Sequence, residues 1–374
     1  MSHRPYIVLA DDLTGAAEVA AIAHQSGLRA VVLTRPPRLP CDADVLVFDT
    51  DTRLATPARA ARRVRACVAR LKKLPHAGFF KKIDSVLRGP VLAELAACAA
   101  GLGLRRSLLV PANPSLGRVI RDGHYFIAGL PLHETAFARD PHHPARSSGV
   151  LDLLGPRGRR TVTCQAPGGR LPDAGVIVGE TGSAADITTW VGAADRHTLA
   201  AGGADFFCAW LQARAGIRRK TSRYSLPAGG VLLLHGTTTA SLNARAVIFR
   251  GRQAPTAQAV IAALQRHGAV AVAATPATLH DPGAPAAISL GFARLAQSLH
   301  QAKVFRHLLI AGGATAATVL RALDWSTLKV VRVWGPGVVT LQPADAPGFA
   351  VTLKPGSYPW PPSLRHVLLD FLLS

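Results

Sequence analysis

The stretch IVLADDLTGAAE, residues 7–18, decides how the rest of the chain is read. An apolar run ending at Ala10 has the character of a buried strand, and Asp11 and Asp12 follow it at once. Leu13, Thr14 and Gly15 then open an alanine-rich run through Ala23 that reads as a helix. A strand closing on acidic residues, a tight turn and a helix start is the layout of an α/β ligand site. Ligands of open parallel sheets sit beyond the carboxyl ends of the strands, near helix N-termini. A helix cap alone explains one Asp in this place. Two in succession, ahead of Thr-Gly, point to a binding rim.

The pattern recurs. Residues 45–48 read as a strand that runs into Asp49, Thr50, Asp51, Thr52 and Arg53. Residues 78–82 (GFFKK) run into Ile83, Asp84, Ser85, Val86, Leu87, Arg88 and Gly89, and residues 107–110 form another strand. Solubilising charge would scatter rather than gather at strand ends. The block RAARRVRACVARLKK, residues 59–73, reads as one amphipathic helix with a solvated face. Alternating strands and helices predict a parallel sheet with helices on its faces.

Residues 111–146 lack helical periodicity and are rich in Pro, Gly and His. Long loops in compact domains are usually functional or disordered. The apolar runs at 125–127 and 130–132 favour a folded excursion, a hairpin over the rim. No metal is expected, because His124 and His133, or His142 and His143, lack a ligand spacing.

Residues 214–230 are basic, polar and Pro/Gly-containing, and mark a linker. The expected organisation is a first domain over 1–215, a linker over 216–229 and a second domain over 230–374. The fold class is α/β, with two domains, each a mostly parallel sheet flanked by helices, and a cleft between them. The second part restarts with a strand at 231–234, then His235, Gly236, Thr237, Thr238, Thr239 and a helix to about Arg250. Strands follow at 269–274, 307–311, 330–333 and 350–353, helices at 291–301 and 315–323, and a closing helix at 361–373.

The chain has 374 residues, long enough for about two domains of the usual ~150 residues. No apolar run reaches the ~20 residues that span a bilayer, so no membrane partner is expected. Five scattered cysteines without CxxC favour a reducing cytoplasm over a disulfide frame or structural zinc. Net charge is +21. Nucleic-acid binding wants a basic stripe with interleaved aromatics. Here the basic residues are dispersed and aromatics are 6%, so compositional bias is the better account. The charge would still draw in an anionic ligand. A homo-oligomer is compatible with the sequence.

Lys81, Lys82, Arg88, Arg118 and Arg139 are able to neutralise an anion, and Asp12, Asp49 and Asp84 to bind hydroxyls or act as a base. A polyhydroxylated acid needs both kinds of group. Gly312-Gly313 between a strand and a helix resembles a phosphate cradle, though plain turns are commoner. Together these features suggest phosphoryl transfer.

Three blocks carry a resemblance: ADDLTGA at 10–16, KKIDSVLRG at 81–89 and PANPSLGRVIRDGHYFIAGLPLHETAFARDP at 111–141. In this order and spacing they resemble the four-carbon acid sugar kinase family, which phosphorylates 3-oxo-tetronates, threonate or erythronate. The resemblance runs through about residue 146 and thinly beyond. It implies an N-terminal domain for the sugar acid, a C-terminal domain for ATP, and Mg²⁺ with the nucleotide. By position it assigns Asp12, Thr14, Asp84, Ser85 and Arg88 to the substrate site, with Asp12 or Asp84 orienting or deprotonating the hydroxyl. Asp11, Lys82 and Arg118 join them, and Asp122, Gly123, His133, Glu134, Thr135, Arg139 and Asp140 shape the rim.

On the nucleotide side, His235-Gly236-Thr237 stands where the family has Ser-Gly-Ser, and Gly312 to Thr315 where it has Gly-Gly-Glu-Thr. Gly335-Pro336-Gly337-Val338 resembles its Pro-Gly-Val turn. Two departures fall here. Ala314 replaces an acidic residue, and Lys354-Pro355-Gly356-Ser357-Tyr358-Pro359 replaces Lys-Ser-Gly-Gly-Phe-Gly. Pro355 has no N–H to donate. The competing readings are a sugar-acid binder with a degenerate ATP site and, from charge alone, a nucleic-acid binder.

Overall fold

The computed structural model describes residues 4–35, 42–140, 142–156, 161–216, 224–236, 246–249, 255–274, 284–356 and 358–364. Thr237, Ser357 and residues 365–373 of the expected closing helix lie outside the described residues. The chain divides into two compact units, one of Met1–Leu28 with Cys41–Arg219, the other of Arg29–Pro40 with Lys220–Ser374.

The chain opens with β1 (Tyr6–Ala10), α1 (Leu13–Gln25), β2 (Ala30–Leu33), β3 (Val45–Asp49), α2 (Pro57–Leu71), β4 (Gly78–Lys82), α3 (Val91–Leu102) and β5 (Arg106–Val110). After an antiparallel excursion of β6 (Arg118–Arg121), β7 (His124–Ile127) and β8 (Leu130–Pro131) come α4 (Val150–Leu153) and β9 (Val162–Gln165). β10 (Gly175–Gly179), α5 (Ala184–Ala193), β11 (Thr198–Gly202) and α6 (Ala204–Ala215) complete the first unit. Its main sheet has the order β3-β1-β4-β11-β5-β10-β9, parallel throughout. The expected hairpin is present as β6–β7, with its turn at Asp122 and Gly123.

Parallel strands are buried on both faces, which explains their unbroken apolar runs. Val45 to Asp49 is buried throughout. α2 packs on α3, while α1 and α5 pack on α6, so the helices form two layers. Phe80 on β4 meets Phe207 and Trp210 of α6 at ring-centroid distances of 5.0 and 5.3 Å. The loops leaving β1 and β3 therefore enter helices of different layers. That divergence is a topological switch point, where open α/β sheets leave room for a ligand.

The second unit has β12 (Val231–His235), β13 (Ala246–Phe249), α7 (Ala257–His267), β14 (Ala269–Ala274) and β15 (His307–Ala311). β16 (Thr327–Gly335), β17 (Val338–Pro343) and β18 (Ala350–Lys354) follow. The order β13-β14-β12-β15-β18 is parallel, and β17, β16 and β2 extend it antiparallel. Leu233, Leu309, Trp334, Val338 and Trp360 share its core. The helix expected up to Arg250 is corrected: Ala246–Phe249 is a strand, paired in parallel with β14. Val247, Ile248 and Phe249 are β-branched or aromatic, a composition that suits a strand. The segment 29–40, placed by sequence within 1–215, belongs to this second unit, because β2 pairs with β16 (Leu328 opposite Val32).

Candidate functional site

The carboxyl ends of β1, β3 and β4 place their polar clusters side by side. Asp12 is the N-cap of α1 and accepts the Gly15 N–H at 2.8 Å. The Thr14 hydroxyl also donates to it. Gly15 is required by closeness: a Cβ there would lie 2.8 Å from Asp12 Oδ1 and 3.3 Å from Lys82 Nζ. The carbonyl of Asp11 accepts the N–H groups of Thr52 and Arg53 at 2.8 and 3.1 Å, which fastens the loop after β3 to the end of β1.

That fastening delivers Arg53, which the sequence reading quoted only as part of a polar strand end. Its Nε and Nη2 donate to the Asp11 carboxylate at 2.8 and 3.0 Å, its Nη1 donates to Asp12 at 2.7 Å, and Nη2 lies 3.7 Å from Asp84. One half-buried guanidinium thus serves three carboxylates. Burial works against the Asp11 anion, but Arg53 and then Lys81 outweigh it and hold the carboxyl below its ordinary value. Burial likewise opposes the Arg53 cation, and Asp11, Asp12 and Asp84 raise its pKa well above the usual value.

Asp84 binds Arg88 through both oxygens, to Nε at 2.9 Å and Nη2 at 2.8 Å, and accepts the Arg88 N–H at 3.1 Å. Burial opposes its ionisation, yet Arg53 and Arg88 carry its pKa below the ordinary carboxylate range. Arg88 Nη1 reaches Asp140 at 2.8 Å. Arg118 donates to Ser85 Oγ at 2.6 Å, and both arginines lie over the Phe137 ring. Leu87, at φ 65, holds the left-handed region that a side chain rarely adopts, which marks the turn between Asp84 and Arg88 as strained.

The two lysines of β4 part company, as strand alternation requires. Lys82 lies 3.2 Å from Glu18 of α1 and donates to the Ile83 carbonyl at 2.9 Å. Lys81 is fully buried on the other face, 2.6 Å from Glu94 of α3. The structure thus brings together Asp11, Asp12, Thr14, Lys82, Asp84, Ser85, Arg88 and Arg118. Asp122, His133 and Arg139 are exposed. Asp122 sits at the hairpin tip, where its N–H donates to Glu180, and His133 lies 3.8 Å from Glu134. A cavity of about 460 Å³ opens behind Arg88, walled by Phe137, His142, His143, Arg146 and Leu153.

In the second unit, the neighbouring ends of β12, β15 and β18 gather His235, the Gly312 turn and Lys354. Gly312 has φ 108, donates its N–H to the Lys354 carbonyl at 2.9 Å, and precedes the helix Gly313–Ala322. The first N–H groups of that helix have no acceptor within it and face outward with the positive helix end. Thr315 is buried against Gly236, where a Cβ would come 2.5 Å from the Thr315 hydroxyl. Gly337 has φ 66 and faces Pro355 and Tyr358. Lys354 donates to the carbonyls of Pro355 at 2.8 Å and Gly356 at 3.3 Å and to that of Tyr358, so it gathers the loop that replaces the glycine-rich run. Burial lowers its pKa to about 8. Sequence reading placed Lys354 beside this loop without a role. Among the described residues, no three His, Cys, Asp or Glu side chains group to hold a metal ion, and no helix is long and apolar enough to cross a membrane.

One unit offers carboxylates and guanidinium groups for a small polyhydroxylated anion, the other backbone N–H groups suited to phosphate. Residues 6–200 match the family described as "Sugar-binding N-terminal domain", and residues 232–358 match "Nucleotide-binding C-terminal domain". The chain belongs to the family built from these two domains, the four-carbon acid sugar kinases.

It is 33% identical over 181 residues to a D-erythronate kinase of Heliobacterium modesticaldum, 47% of this chain but only 40% of that protein. A D-threonate kinase of Cupriavidus necator is 29% identical over 96% of both chains. A 3-oxo-tetronate kinase of Pseudomonas fluorescens is 26% identical over 94% of this chain and 93% of its own. The fold matches a crystal structure of a Haemophilus influenzae protein with TM-score 0.73 and 19% identity, over 94% of this chain and 97% of that one.

Proposed function

We propose that the protein is an ATP-dependent kinase that phosphorylates a hydroxyl of a four-carbon sugar acid. The observation that carries this reading is the cluster of Asp12, Lys82, Asp84 and Arg88 around the Arg53 guanidinium, in a chain whose relatives are named as threonate, erythronate and 3-oxo-tetronate kinases. Arg88 and Lys82 would hold the acid's carboxylate, with Arg118 and Ser85 closing that side. Asp84 positions Arg88; a carboxylate chelated by guanidinium and depressed in pKa makes a poor base. Asp12 is the better acceptor for the hydroxyl proton, since its side chain is 20% exposed against 4% for Asp11 and 6% for Asp84.

Bound ATP with Mg²⁺ would supply the phosphoryl group. The N–H groups at Gly313 and Thr315, the left-handed Gly312, and Gly236 and Gly337 fit a phosphate cradle, with His235 and Gly356 at its edges. Here the chain's task is positioning and charge stabilisation, the larger part of phosphoryl-transfer catalysis.

A panel of four-carbon acids with ATP, read as ADP release, tests the proposal. No release above the acid-free control from any of them would sink it. Ala314 and Pro355 favour one rival, a sugar-acid binder without catalysis. Calorimetric titration with Mg-ATP separates the two, because the rival gives no heat of binding.

A further inference from the structure

Sheet register puts Asp49 and Lys82 in one row, each opposite Ala10 of β1. Paired residues of parallel strands project to the same face, and the Lys82–Glu18 contact identifies that face as the one bearing α1. Asp49 therefore shares the crevice with Asp12, yet it is bonded differently from every carboxylate around it. Asp11, Asp12 and Asp84 each bind a guanidinium. Asp49 accepts one hydrogen bond, from the Asp51 N–H to Oδ1 at 2.8 Å. Among the described residues it joins no ion pair and its Oδ2 has no partner, although the residue is only 6% exposed.

We propose that Asp49 is a hydroxyl-recognition residue of the acceptor site, its Oδ2 carrying a proton that it donates to a hydroxyl oxygen of the sugar acid, as a carboxamide N–H would. This rests on the sugar-acid reading above. The chemistry favours an uncharged acid there. The ligand brings its own carboxylate, and a further anion beside Asp11 and Asp12 would repel both it and them. Burial pushes Asp49 up to about 8; the Asp51 N–H opposes this, and the charges of Asp12, Asp51 and Asp11 add to it. The charged groups around it are Asp11 and Asp12 from the turn into α1, Lys82 from β4 with its partner Glu18 of α1, and Asp51 on its own loop beside Arg63; Cys67 of α2, in the other helix layer, feels its charge. No cation in that set bonds it.

Steady-state kinetics of wild type, Asp49→Ala and Asp49→Asn with the turned-over acid, from about pH 6 to pH 9.5, test the assignment. In Asp49→Ala the KM for the acid should rise by about 10-fold or more with the KM for ATP unmoved. Asp49→Asn should recover that affinity to within about 3-fold, and should lose the rise in KM that wild type shows above about pH 8. An alanine variant with unaltered KM in an active enzyme overturns the role of Asp49 alone. So does an asparagine variant whose kcat falls about 100-fold, which would make Asp49 the base. A wild type that turns over no four-carbon acid overturns the kinase reading and this inference with it.

Discussion

At the ends of β1, β3 and β4 the chemistry resides in charged side chains; at the ends of β12, β15 and β18 it resides in backbone amides shaped by glycine. The first arrangement depends on residue identity. Arg53 reaches Asp11, Asp12 and Asp84, so replacing it strips the Asp11 and Asp12 carboxylates of their guanidinium partner. The second depends on conformation. Gly312 keeps φ 108 and the helix still starts at Gly313, although Ala314 and Pro355 depart from the family pattern. A backbone donor survives side-chain drift. This accounts for a resemblance that is dense in the first 146 residues and sparse afterwards.

The sharpest way to break this contrast is Arg53→Met. With Asp11 and Asp12 stripped of their guanidinium partner and Asp84 left to Arg88 alone, urea unfolding should report a loss of about 3–5 kcal/mol; a loss under about 1 kcal/mol would mean that the cluster is not held by its internal charges. Arg88→Lys keeps the charge and loses the fork. It should raise the KM for the acid by about 10- to 100-fold and leave the KM for ATP in place.

Gly312→Ala forces a side chain into the left-handed region, and should raise the KM for ATP about 10-fold without altering that for the acid. Equal effects on both would erase the division of labour.

Smaller still is a stability effect at Asp49. Its folded pKa of about 8 lies above the ordinary 3.8, so the native state keeps a proton that the unfolded chain releases. That stabilising contribution is complete below about pH 4 and fades as pH climbs towards 8. Asp49→Asn should therefore match wild type in acid and exceed it by about 1–3 kcal/mol near pH 8, measured by denaturant titration at each pH.

Smallest is Thr352→Val. Thr352 sits in the buried chain from His307 (2.7 Å) to Thr340 (2.6 Å), and its loss should cost about 1–2 kcal/mol with both KM values unmoved.

Much of this was legible in the residues. Polar clusters after apolar runs located the three strand ends that meet around Arg53, and the apolar runs at 125–127 and 130–132 located the hairpin. Asp12 proves to be both things its position allowed, helix cap and cluster member. Arg53 was not legible as the hub, because its importance arises only when three carboxylates from two different strand ends converge on it. The separation of Lys81 from Lys82 follows from alternation, but the partner that buries Lys81 is Glu94, on the following helix. The strand at Ala246–Phe249 was misread as helix, because a short apolar run without alternation fits either. β17 was not anticipated, although it completes the antiparallel border.

β2 leaves the first unit, joins the second beside β16, and the chain then returns at Cys41. Neither unit is therefore a continuous stretch of polypeptide, and a cut at the linker does not release a whole one. A fragment ending near residue 219 would carry β2 without β16, its antiparallel partner, and the complementary fragment would expose β16 as an unpaired edge open to aggregation. Gene fusions, shuffled chimaeras or split reporters made from this protein would have to carry Arg29–Pro40 with the distal half.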